Sequence, residues 1–437
     1  MKASELKITD LRVAEIDGLP KHMILLKIYT NAGITGYGEV RDAASATYAK
    51  MLKSRLLGEN PLNVEKLFNR VKQFGGHSRQ GGGVSGVEIA LYDIIGKFYG
   101  VPVYQLLGGK WRDKVRIYCD TDVDGKHTGR DMGFALKKRI EQGFTFLKMD
   151  LGIELLYDEP GTLNAPLGMI EDFKKYNAKA ISHQSGSIDK SLMRGKNYQV
   201  FTVPHYATGI RVTEKGFDYL ENYVKQVREV IGYEAPVAID HFGHVAIEDA
   251  IRFSKRLEKY NIAWMEDLTP WQNYKDIKKF ADNALVPICT GEDIYLAENF
   301  EKIMQAGVNV VHPDVLTVGG LRELKKVGDL CQKYGTALAI HMAESPVAFM
   351  AAVHGAAALK DVLAVEFHSV DHPEWFNLVT PAIKLENGFM TVPDAPGLGI
   401  ESLNEELVEK FKRAGAGEPW AATDEWNDEW SNDREWS

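Results

Sequence analysis

Three acidic residues end three apolar segments of this chain at a constant spacing. Asp240 ends APVAID, Glu266 ends IAWME and Glu292 ends VPICTGE, and each lies 26 residues after the one before. A strand, a loop, a helix and a return loop occupy about that length, so the spacing predicts successive βα units of a parallel barrel. Because the strand C-termini of such a barrel share one mouth, we expect the three carboxylates to converge there.

Three converging carboxylates repel one another unless a cation lies between them. Ligation by oxygen atoms alone suits Mg²⁺. Ordinary helix N-caps are the alternative interpretation, since acidic residues also favour first turns. Three acidic residues in register, each at the end of a buried strand, favour a metal site, and we predict Mg²⁺ at Asp240, Glu266 and Glu292.

Strand and helix patterns alternate over the middle of the chain. Eight strands separated by helical segments match a closed (β/α)8-type barrel. The strand candidates are 115–120, 144–150, 235–240, 262–266, 286–291, 308–312, 336–341 and 362–366. We therefore predict an α+β domain at 1–112, the barrel at 113–372, and a C-terminal segment at 373–437 that returns to the first domain or forms an oligomer contact.

Two segments do not fit the barrel pattern. The connection at about 151–213 is far longer than an ordinary βα loop, which predicts a lid or a substrate wall, with an oligomer contact as the alternative. The C-terminal stretch carries half of the 8 tryptophans, namely Trp420, Trp426, Trp430 and Trp436. Aromatic residues in so polar a stretch predict docking onto another surface, of this chain or of a neighbouring subunit.

The composition limits the partners of the chain. A hydrophobic content of 45% is ordinary for a soluble globular protein. The net charge of −9 argues against nucleic acid or an anionic membrane, but not against an anionic small molecule, because a bound cation can reverse the local sign. The 3 cysteines are far apart and are expected to be reduced. With no signal-peptide pattern and no apolar run of ~18 residues, we expect a cytoplasmic protein.

The remaining strand ends add a second polar group. Asp314 and His341 end neighbouring strands 27 residues apart. A carboxylate beside an imidazole fixes its tautomer and stabilises the imidazolium, which makes a proton-abstracting base. Glu366 ends the last strand, and Lys148 and Asp150 end the second. So many charged residues on one rim predict catalysis rather than packing.

These residues resemble the enolase superfamily, and within it the mandelate racemase/muconate lactonizing enzyme-like subgroup. The resemblance covers nearly the whole chain and includes GITGYGEV, GVEIALYDIIGKFYGVPVYQLLGG, the acidic triad, HPDVLTVGGL and AIHMAESP. It implies an α/β fold in which an N-terminal α+β capping domain covers a modified (β/α)7β TIM-like barrel. It further implies a substrate carboxylate held on Mg²⁺, and a homo-oligomer.

The resemblance also implies roles for the rim residues. Mg²⁺ on the acidic triad would neutralise one oxygen of the substrate carboxylate, and Lys148 would stabilise another. Glu366, if protonated, would donate a hydrogen bond to the developing oxyanion. His341, oriented by Asp314, would take the proton α to the carboxylate.

One departure from the family pattern favours a particular reaction. Racemases of the subgroup carry Lys-x-Lys on the second strand, whereas this chain has KMD, with Asp150 in the second position. Abstraction from one side by His341, followed by loss of a β-hydroxyl, is therefore favoured over racemisation. This predicts a hydro-lyase that converts an aldonate or aldarate into a 2-keto-3-deoxy acid. A sugar-acid epimerase, racemase or cycloisomerase is the alternative, and a catalytically inactive binding protein is disfavoured because the residue set is complete.

The leaving hydroxide needs a proton, and several residues could supply it. His341 could return its proton in a syn elimination. Otherwise His244, in the loop after the third strand, is a better candidate than His241, which alternation directs away from the Asp240 side. His205 and Tyr206 in the long connection are further candidates.

Substrate recognition is expected to come from loops. The segment FGGHSRQGGG places polar side chains among five glycines, which suits a lid that closes over hydroxyls or a distal carboxylate. His312 is assigned no role, and His368 and His372 receive little weight. The predicted substrate-binding residues are His77, Arg79, Gln80, Asp150, Tyr206 and Trp271.

Overall fold

The N-terminal region is a three-stranded antiparallel sheet covered by helices. The computed structural model describes residues 1–123, 127–166, 168, 170–171, 209–240, 242–243 and 245–428. The sheet is a meander of Ile8–Ile16, Met23–Thr30 and Thr35–Val40, as the sequence predicts. Helices follow at Thr47–Lys50, Lys53–Leu56, Val64–Val71, Gly82–Tyr99 and Val103–Leu106.

Glycines allow the longest of these helices to lie directly on the sheet. A Cβ atom at Gly38 would lie 2.1 Å from the Gly86 carbonyl oxygen, and one at Gly86 would lie 2.2 Å from the Glu39 carbonyl oxygen. Only residues without side chains permit this backbone approach. Next to this contact, Glu39 accepts a hydrogen bond of 3.2 Å from the Ser345 amide, which holds the end of the third strand of the sheet against the barrel.

Eight parallel strands form the barrel. They are Lys114–Thr121, Leu147–Asp150, Val237–Asp240, Ile262–Glu266, Ile288–Thr290, Val310–Val311, Ala337–Leu338 and Val365–Phe367. The eighth strand pairs with the first and bridges to the seventh through Ile340 and Val365, which closes the ring. This confirms the predicted barrel.

Seven helices connect the eight strands in the described part of the chain. They are Gly129–Glu141, Glu214–Ile231, Ile247–Leu257, Tyr274–Ala281, Ala297–Gln305, Leu321–Tyr334 and Pro346–Ala358. This alternation is the (β/α)7β arrangement that the resemblance implies. None of the described helices combines the length and the apolar character that crossing a bilayer requires.

One buried cluster takes a side chain from each of the eight strands or from the residue next to it. Such layers of side chains fill the interior of barrels of this kind. The members of this cluster are Tyr118, Phe146, Ala238, Trp264, Cys289, Val310, Ala339 and Ala364. This apolar layer gives the polar strand ends a rigid, dry support.

The two ends of the long connection after the second strand are joined by a short ladder. Leu163–Asn164 pairs antiparallel with Arg211–Val212, and Arg211 donates two hydrogen bonds of 2.8 Å to the Asp249 carboxylate. Most of the connection, 172–208, lies outside the described residues. Its expected role as a lid or substrate wall therefore stays a prediction.

The segment after the barrel returns to the N-terminal region of the same chain. Phe389–Thr391 pairs with the first barrel strand, and the segment contains the helices Pro373–Phe376 and Glu405–Lys410. Further on, the Trp420 amide donates to the Val13 carbonyl oxygen at 3.0 Å, and Lys27 Nζ lies 3.9 Å from the Trp420 ring centroid.

The tail tryptophans that the structure describes therefore dock on their own chain. Lys50 Nζ lies 5.8 Å from the centroid of Trp426, next to the Trp420 contact. Trp430 and Trp436 lie outside the described residues. The division at 1–112, 113–372 and 373–437 stays a prediction.

Candidate active site

Lys148 lies at the centre of the barrel mouth. Its side chain is 1% exposed, and Nζ lies 2.7 Å from Asp240 Oδ2, 2.9 Å from Glu266 Oε1 and 2.8 Å from Glu366 Oε1. Burial opposes the charge on the ammonium group, but these carboxylates outweigh it and raise the pKa of Lys148 well above its usual range. Lys148 is therefore a fixed positive charge among the strand ends.

Carboxylates of the fourth and fifth strands meet beside Lys148. Carboxylate oxygens of Glu266, Asp267 and Glu292 all lie within 4.8 Å of one another. Asp240 adjoins this group, because its carboxylate shares Lys148 Nζ with Glu266. A donor set made of carboxylate oxygens fits a hard divalent cation. The three predicted ligands thus come together, with Asp267 as a neighbour that the sequence argument did not include.

His341 and Asp314 form a close pair, as predicted. His341 Nδ1 lies 2.5 Å from Asp314 Oδ2, and the two residues form a parallel β-bridge at adjacent strand ends. The other ring nitrogen, Nε2, lies 2.9 Å from Glu292 Oε2. Burial lowers the pKa of His341, but Glu292 outweighs it and raises that pKa well above the usual value. The imidazole is therefore held at Nδ1 and directed with Nε2 towards the acidic group.

Cationic side chains surround Glu366 and favour its ionised form. Burial raises its pKa, but Lys148, followed by His341 and His368, lowers it well below the usual value. An ionised carboxylate accepts hydrogen bonds and donates none. These cations favour a Glu366 that accepts hydrogen bonds, and donation from a protonated Glu366 stays a prediction.

Two histidines that the sequence argument undervalued contact Glu366. His312 Nδ1 lies 2.9 Å from Glu266 Oε1, Nε2 lies 3.4 Å from Glu366 Oε2, and the hydroxyl of Tyr118 lies 2.6 Å from Nε2. Although burial lowers it, the Glu266 and Glu366 carboxylates raise the pKa of His312 to about 9. His368 Nε2 lies 3.2 Å from Glu366 Oε1.

The spacing of His312 and His368 along the chain indicates that both lie at the barrel mouth. His312 is two residues before Asp314, and His368 is two residues after Glu366. Residues two apart on a strand share a face. Strand alternation, which directs His241 away from the Asp240 side, therefore predicts that His312 and His368 lie on the side of Asp314 and Glu366.

The N-terminal region contributes an arginine that the sequence argument missed. The Arg41 side chain is 1% exposed and contacts four carboxylates at the barrel mouth. Its Nη1 binds Asp314, and its Nη2 lies 3.3 Å from Glu292 Oε1. Its Nε lies 3.1 Å from Asp42 Oδ1 and 3.4 Å from Glu344 Oε1. Arg41 directly follows GITGYGEV, but nothing in the sequence says which strand ends it reaches.

A cavity of about 300 Å³ opens beside the carboxylate group. His77 and Trp271 form one wall, with ring centroids 4.4 Å apart, and Asp267 and Asp293 also line the cavity. Burial lowers the pKa of His77, so this ring is neutral near pH 7. The cavity therefore combines aromatic faces with carboxyl groups. The remaining lining residues are Ser78, Gly243, Thr269, Pro270, Gln272 and Thr290.

Two other predicted substrate contacts lie outside that wall. Arg79 and Gln80 are not among the described residues that line the cavity. Arg79 Nη1 lies 3.4 Å from Asp293 Oδ1, and Nε lies 3.6 Å from Asp42 Oδ1. The guanidinium group is thus engaged by two acidic residues at the edge of the site.

The opposite side of the mouth carries Asp150. A carboxylate oxygen of Asp150 lies within 4.8 Å of oxygens of Asp120 and Asp122. Asp150 is also the register partner of Asp240 on the neighbouring strand. It is therefore at the mouth, as expected, although its contact with substrate stays a prediction. The other candidates, His205, Tyr206, His241 and His244, lie outside the described residues.

Known proteins are similar to this chain over most of its length. Residues 16–108 match the mandelate racemase / muconate lactonizing enzyme N-terminal domain, and residues 193–407 match the enolase C-terminal domain-like family. A D-xylonate dehydratase from Haloferax volcanii is 30% identical over 92% of this chain and 88% of its own length. An arabinonate dehydratase from Saccharolobus solfataricus is 28% identical over 91% of this chain and 93% of its own length.

Solved structures lead to the same family. The crystal structure of a mandelate racemase/muconate lactonizing enzyme-like protein from Rubrobacter xylanophilus has a TM-score of 0.76 and 26% identity. The similarity covers 94% of this chain and 99% of that one. With both domains matched and the barrel mouth assembled as described, the chain belongs to the enolase superfamily, in its mandelate racemase/muconate lactonizing enzyme-like branch.

Proposed function

We propose that this protein is a Mg²⁺-dependent dehydratase of sugar acids, which converts an aldonate or aldarate into a 2-keto-3-deoxy acid. The observation that carries the proposal is the position of His341, whose Nδ1 is held by Asp314 while Nε2 lies 2.9 Å from a carboxylate of the acidic group. A base in this position can reach a carbon next to a carboxylate bound at that group. The dehydratase names of the similar proteins support the same reaction.

The acidic group fits the proposed metal. Asp240, Glu266 and Glu292 offer only oxygen atoms, and Mg²⁺ takes oxygen ligands. When bound there, Mg²⁺ would neutralise charge that develops on the substrate carboxylate. Asp267 is close enough to orient a ligand or a coordinated water, since its carboxylate lies within 4.8 Å of those of Glu266 and Glu292.

The side chains of this protein then account for the two bond cleavages. His341 Nε2 takes the proton from Cα as the Cα–H bond breaks, and its imidazolium is stabilised by Asp314. Lys148 is a fixed cation that stabilises negative charge on the substrate carboxyl group. The hydroxyl on Cβ leaves as water, with a proton from an acid, and the resulting enol becomes the 2-keto-3-deoxy acid.

Two described residues can supply the proton for the leaving hydroxyl. His341 can return the proton it has taken if both bonds break on one face. His368 is the second candidate, because its ring lies 6.2 Å from that of His341, centroid to centroid, at the same mouth. His244 stays a prediction outside the described residues.

The cavity favours an aldonate over an aldarate. The charged residues among its described lining are Asp267 and Asp293, which are both acidic. Carboxyl groups accept hydrogen bonds from sugar hydroxyls in either protonation state, but a second substrate carboxylate would find no cation in that lining to offset its desolvation. The similar proteins are named for the aldonates xylonate, arabinonate, mannonate and galactonate.

A library of aldonates and aldarates with Mg²⁺ tests the proposal. We expect at least one acid to lose water and to give a 2-keto acid that semicarbazide detects. Mass spectrometry in D₂O separates the alternatives, because an epimerase would add deuterium without loss of water and a cycloisomerase would give an isomer. Failure of every sugar acid, in the presence of bound Mg²⁺, would exclude the proposed function.

Two further features belong to the proposal. We expect a homo-oligomer, which light scattering of the purified chain would measure. We also expect the protein to be cytoplasmic, which fractionation of expressing cells would test.

A further inference from the structure

We propose that Arg41 is a positioning residue for the catalytic base: it holds Asp314 from the N-terminal region, so that Asp314 keeps His341 with Nε2 directed at the substrate. The proposal rests on the proposed function, in which His341 takes the α-proton. Arg41 itself touches neither substrate nor metal in this assignment.

The contacts place Arg41 directly behind the base. Its Nη1 binds Asp314 Oδ2, the same oxygen that lies 2.5 Å from His341 Nδ1. The same Nη1 lies 3.1 Å from His341 Nδ1. Because a guanidinium group donates only, it cannot accept a proton from Nδ1, and Asp314 must be the acceptor for that N–H. In the proposed reaction, Nε2, which lies 2.9 Å from Glu292 Oε2, is therefore the nitrogen that takes the α-proton.

The remaining donors of Arg41 fix the plane of the guanidinium group. Nη2 lies 3.3 Å from Glu292 Oε1, and Nε lies 3.1 Å from Asp42 Oδ1. Contacts at all three nitrogens hold the planar guanidinium group in one orientation. A lysine has a single ammonium group and could not reproduce these contacts.

The backbone of Arg41 is also held tightly. A Cβ atom at Gly82 would lie 2.4 Å from the Arg41 backbone nitrogen and 2.6 Å from its Cβ, so the long helix of the N-terminal region starts directly against it. Glu39, two residues earlier, accepts hydrogen bonds from the Ser345 backbone and hydroxyl. The docking of the N-terminal region on the barrel therefore sets the position of Arg41 within the site.

A purely structural role is the competing explanation. Arg41 could simply offset the charge of buried acidic residues, including Glu344, whose Oε1 lies 3.4 Å from Arg41 Nε. In that case its loss would lower the stability of the protein, and the remaining folded enzyme would keep its kcat. A positioning role predicts that kcat falls in the folded enzyme while KM changes little, because the substrate contacts remain.

A double-mutant cycle tests the positioning role. Arg41→Met is expected to lower kcat about 100-fold, Asp314→Asn about 1000-fold, and the double variant no further than Asp314→Asn alone. The effects coincide because Arg41 acts through Asp314. The proposal would be overturned if the kcat of the double variant fell by the product of the two single-variant factors. A kcat of Arg41→Met within about 2-fold of the wild type would also overturn it.

One further variant and one further measurement protect the test against misfolding and against an effect on the metal. Arg41→Lys keeps the positive charge but loses the planar guanidinium group with its several N–H donors. We expect a kcat about 30-fold below the wild type and a nearly unchanged melting temperature. Full recovery of kcat in Arg41→Lys would show that charge alone matters and would overturn the proposal. Recovery of Arg41→Met at high Mg²⁺, with weaker Mg²⁺ binding by calorimetry, would also overturn it.

Arg228→Met is the matched control. Arg228 is a buried arginine that donates to the backbone carbonyl oxygens of Tyr260 and Ala235, at 2.8 and 2.9 Å. We expect this variant to lower the melting temperature and to leave kcat within about 2-fold of the wild type. Since the wild-type enzyme must turn over a sugar acid before any ratio is measured, failure of the proposed function is recognised separately.

Discussion

The barrel mouth and the contact between the N-terminal region and the barrel both hold buried carboxyl groups, and the surroundings of these groups differ. At the barrel mouth, Glu292 and Glu366 lie beside cationic side chains, and the pKa of each carboxyl lies well below its usual value even though burial raises it. At the contact between the N-terminal region and the barrel, Glu39 and Glu88 are 0% and 1% exposed, and burial raises the pKa of both. We call this second region the seam.

Backbone N–H groups donate hydrogen bonds to the carboxyl groups of the seam. Glu39 accepts from the Ser345 amide at 3.2 Å and from its hydroxyl at 2.5 Å, at the start of the helix Pro346–Ala358. Glu88 accepts from the amides of Leu321 and Arg322, at 2.8 and 2.9 Å, at the start of the preceding helix. Both residues therefore satisfy orphan donors of a helix N-terminus.

The comparison shows that burial alone does not make a functional carboxylate. At the mouth, cationic side chains lower the pKa of Glu292 and Glu366 and favour the charged state that binds a cation, whereas burial and the neighbouring carboxylates raise the pKa of Asp267. At the seam, burial raises the pKa of Glu39 and Glu88, and backbone N–H groups of the barrel donate to both, so these acids hold the two structural units together. The variants below test whether the mouth controls the chemistry and the seam controls the stability.

The largest effect is expected from His341→Asn at the mouth. Asparagine keeps a polar side chain beside Asp314 but cannot accept the substrate proton, so we expect kcat to fall about 1000-fold or more. The melting temperature should change little. Steady-state kinetics measures kcat, and thermal unfolding measures the melting temperature. A variant that retains half of the wild-type kcat would show that His341 is not the base.

Lys148→Met should come next. Loss of the central cation leaves Asp240, Glu266 and Glu366 without their shared partner, and we expect kcat about 100-fold below the wild type. Mg²⁺ affinity, measured by calorimetry, checks whether the metal still binds. An unchanged kcat would contradict the difference between the two regions, because a substitution at the mouth would then affect kcat as little as one at the seam.

Glu88→Gln tests the seam through its pH dependence. Burial raises the pKa of Glu88 from 4.5 to about 8, so the folded protein holds a proton that the unfolded chain releases between those values. This group therefore stabilises the fold fully below pH 4.5, and the contribution is lost as the pH rises towards 8. Glutamine removes that dependence.

We accordingly expect Glu88→Gln to be about 1–2 kcal/mol less stable than the wild type at pH 5, with a smaller difference at pH 8. Urea unfolding at the two pH values gives the comparison, and the kcat of the folded variant at saturating substrate should stay near that of the wild type. A difference that grows with pH would contradict a protonated Glu88.

The smallest effect is expected from Ser345→Ala, also at the seam. Its hydroxyl donates to Glu39 and accepts from the Val347 amide at 3.0 Å, as the N-cap of its helix. We expect a loss of about 1 kcal/mol in the free energy of unfolding, with kcat unchanged. A loss of kcat in the folded variant, beyond the loss that unfolding explains, would show that the seam also positions catalytic groups.

Much of the fold was predictable because strand ends repeat at a fixed interval. The fourth strand, Ile262–Glu266, coincides with its predicted bounds, whereas the seventh, predicted as 336–341, forms a continuous ladder over Ala337–Leu338 and only isolated bridges beyond it. The chain there leaves the regular ladder before His341, which is joined to Asp314 by an isolated bridge. Local pattern indicates that a strand exists, but the partner strand determines where pairing stops.

The site was predictable only where its residues lie on that repeat. The predicted groups at strand ends meet at the mouth, while Arg41 and the protonated seam carboxyls were missed. Arg41 comes from a different domain, 251 residues before Glu292, so no spacing along the chain indicates the contact.

By itself, the sequence determined an eight-stranded βα barrel, the convergence of Asp240, Glu266 and Glu292 at one rim, and the pairing of His341 with Asp314. These features follow from periodicity, because equal intervals bring equivalent positions of successive βα units to one rim. Only the tertiary structure decided which acids are charged, since a pKa depends on the partners that folding brings within a few ångströms. It also decided that an arginine from the N-terminal region lies behind the base, because contacts between separate units depend on how their surfaces dock.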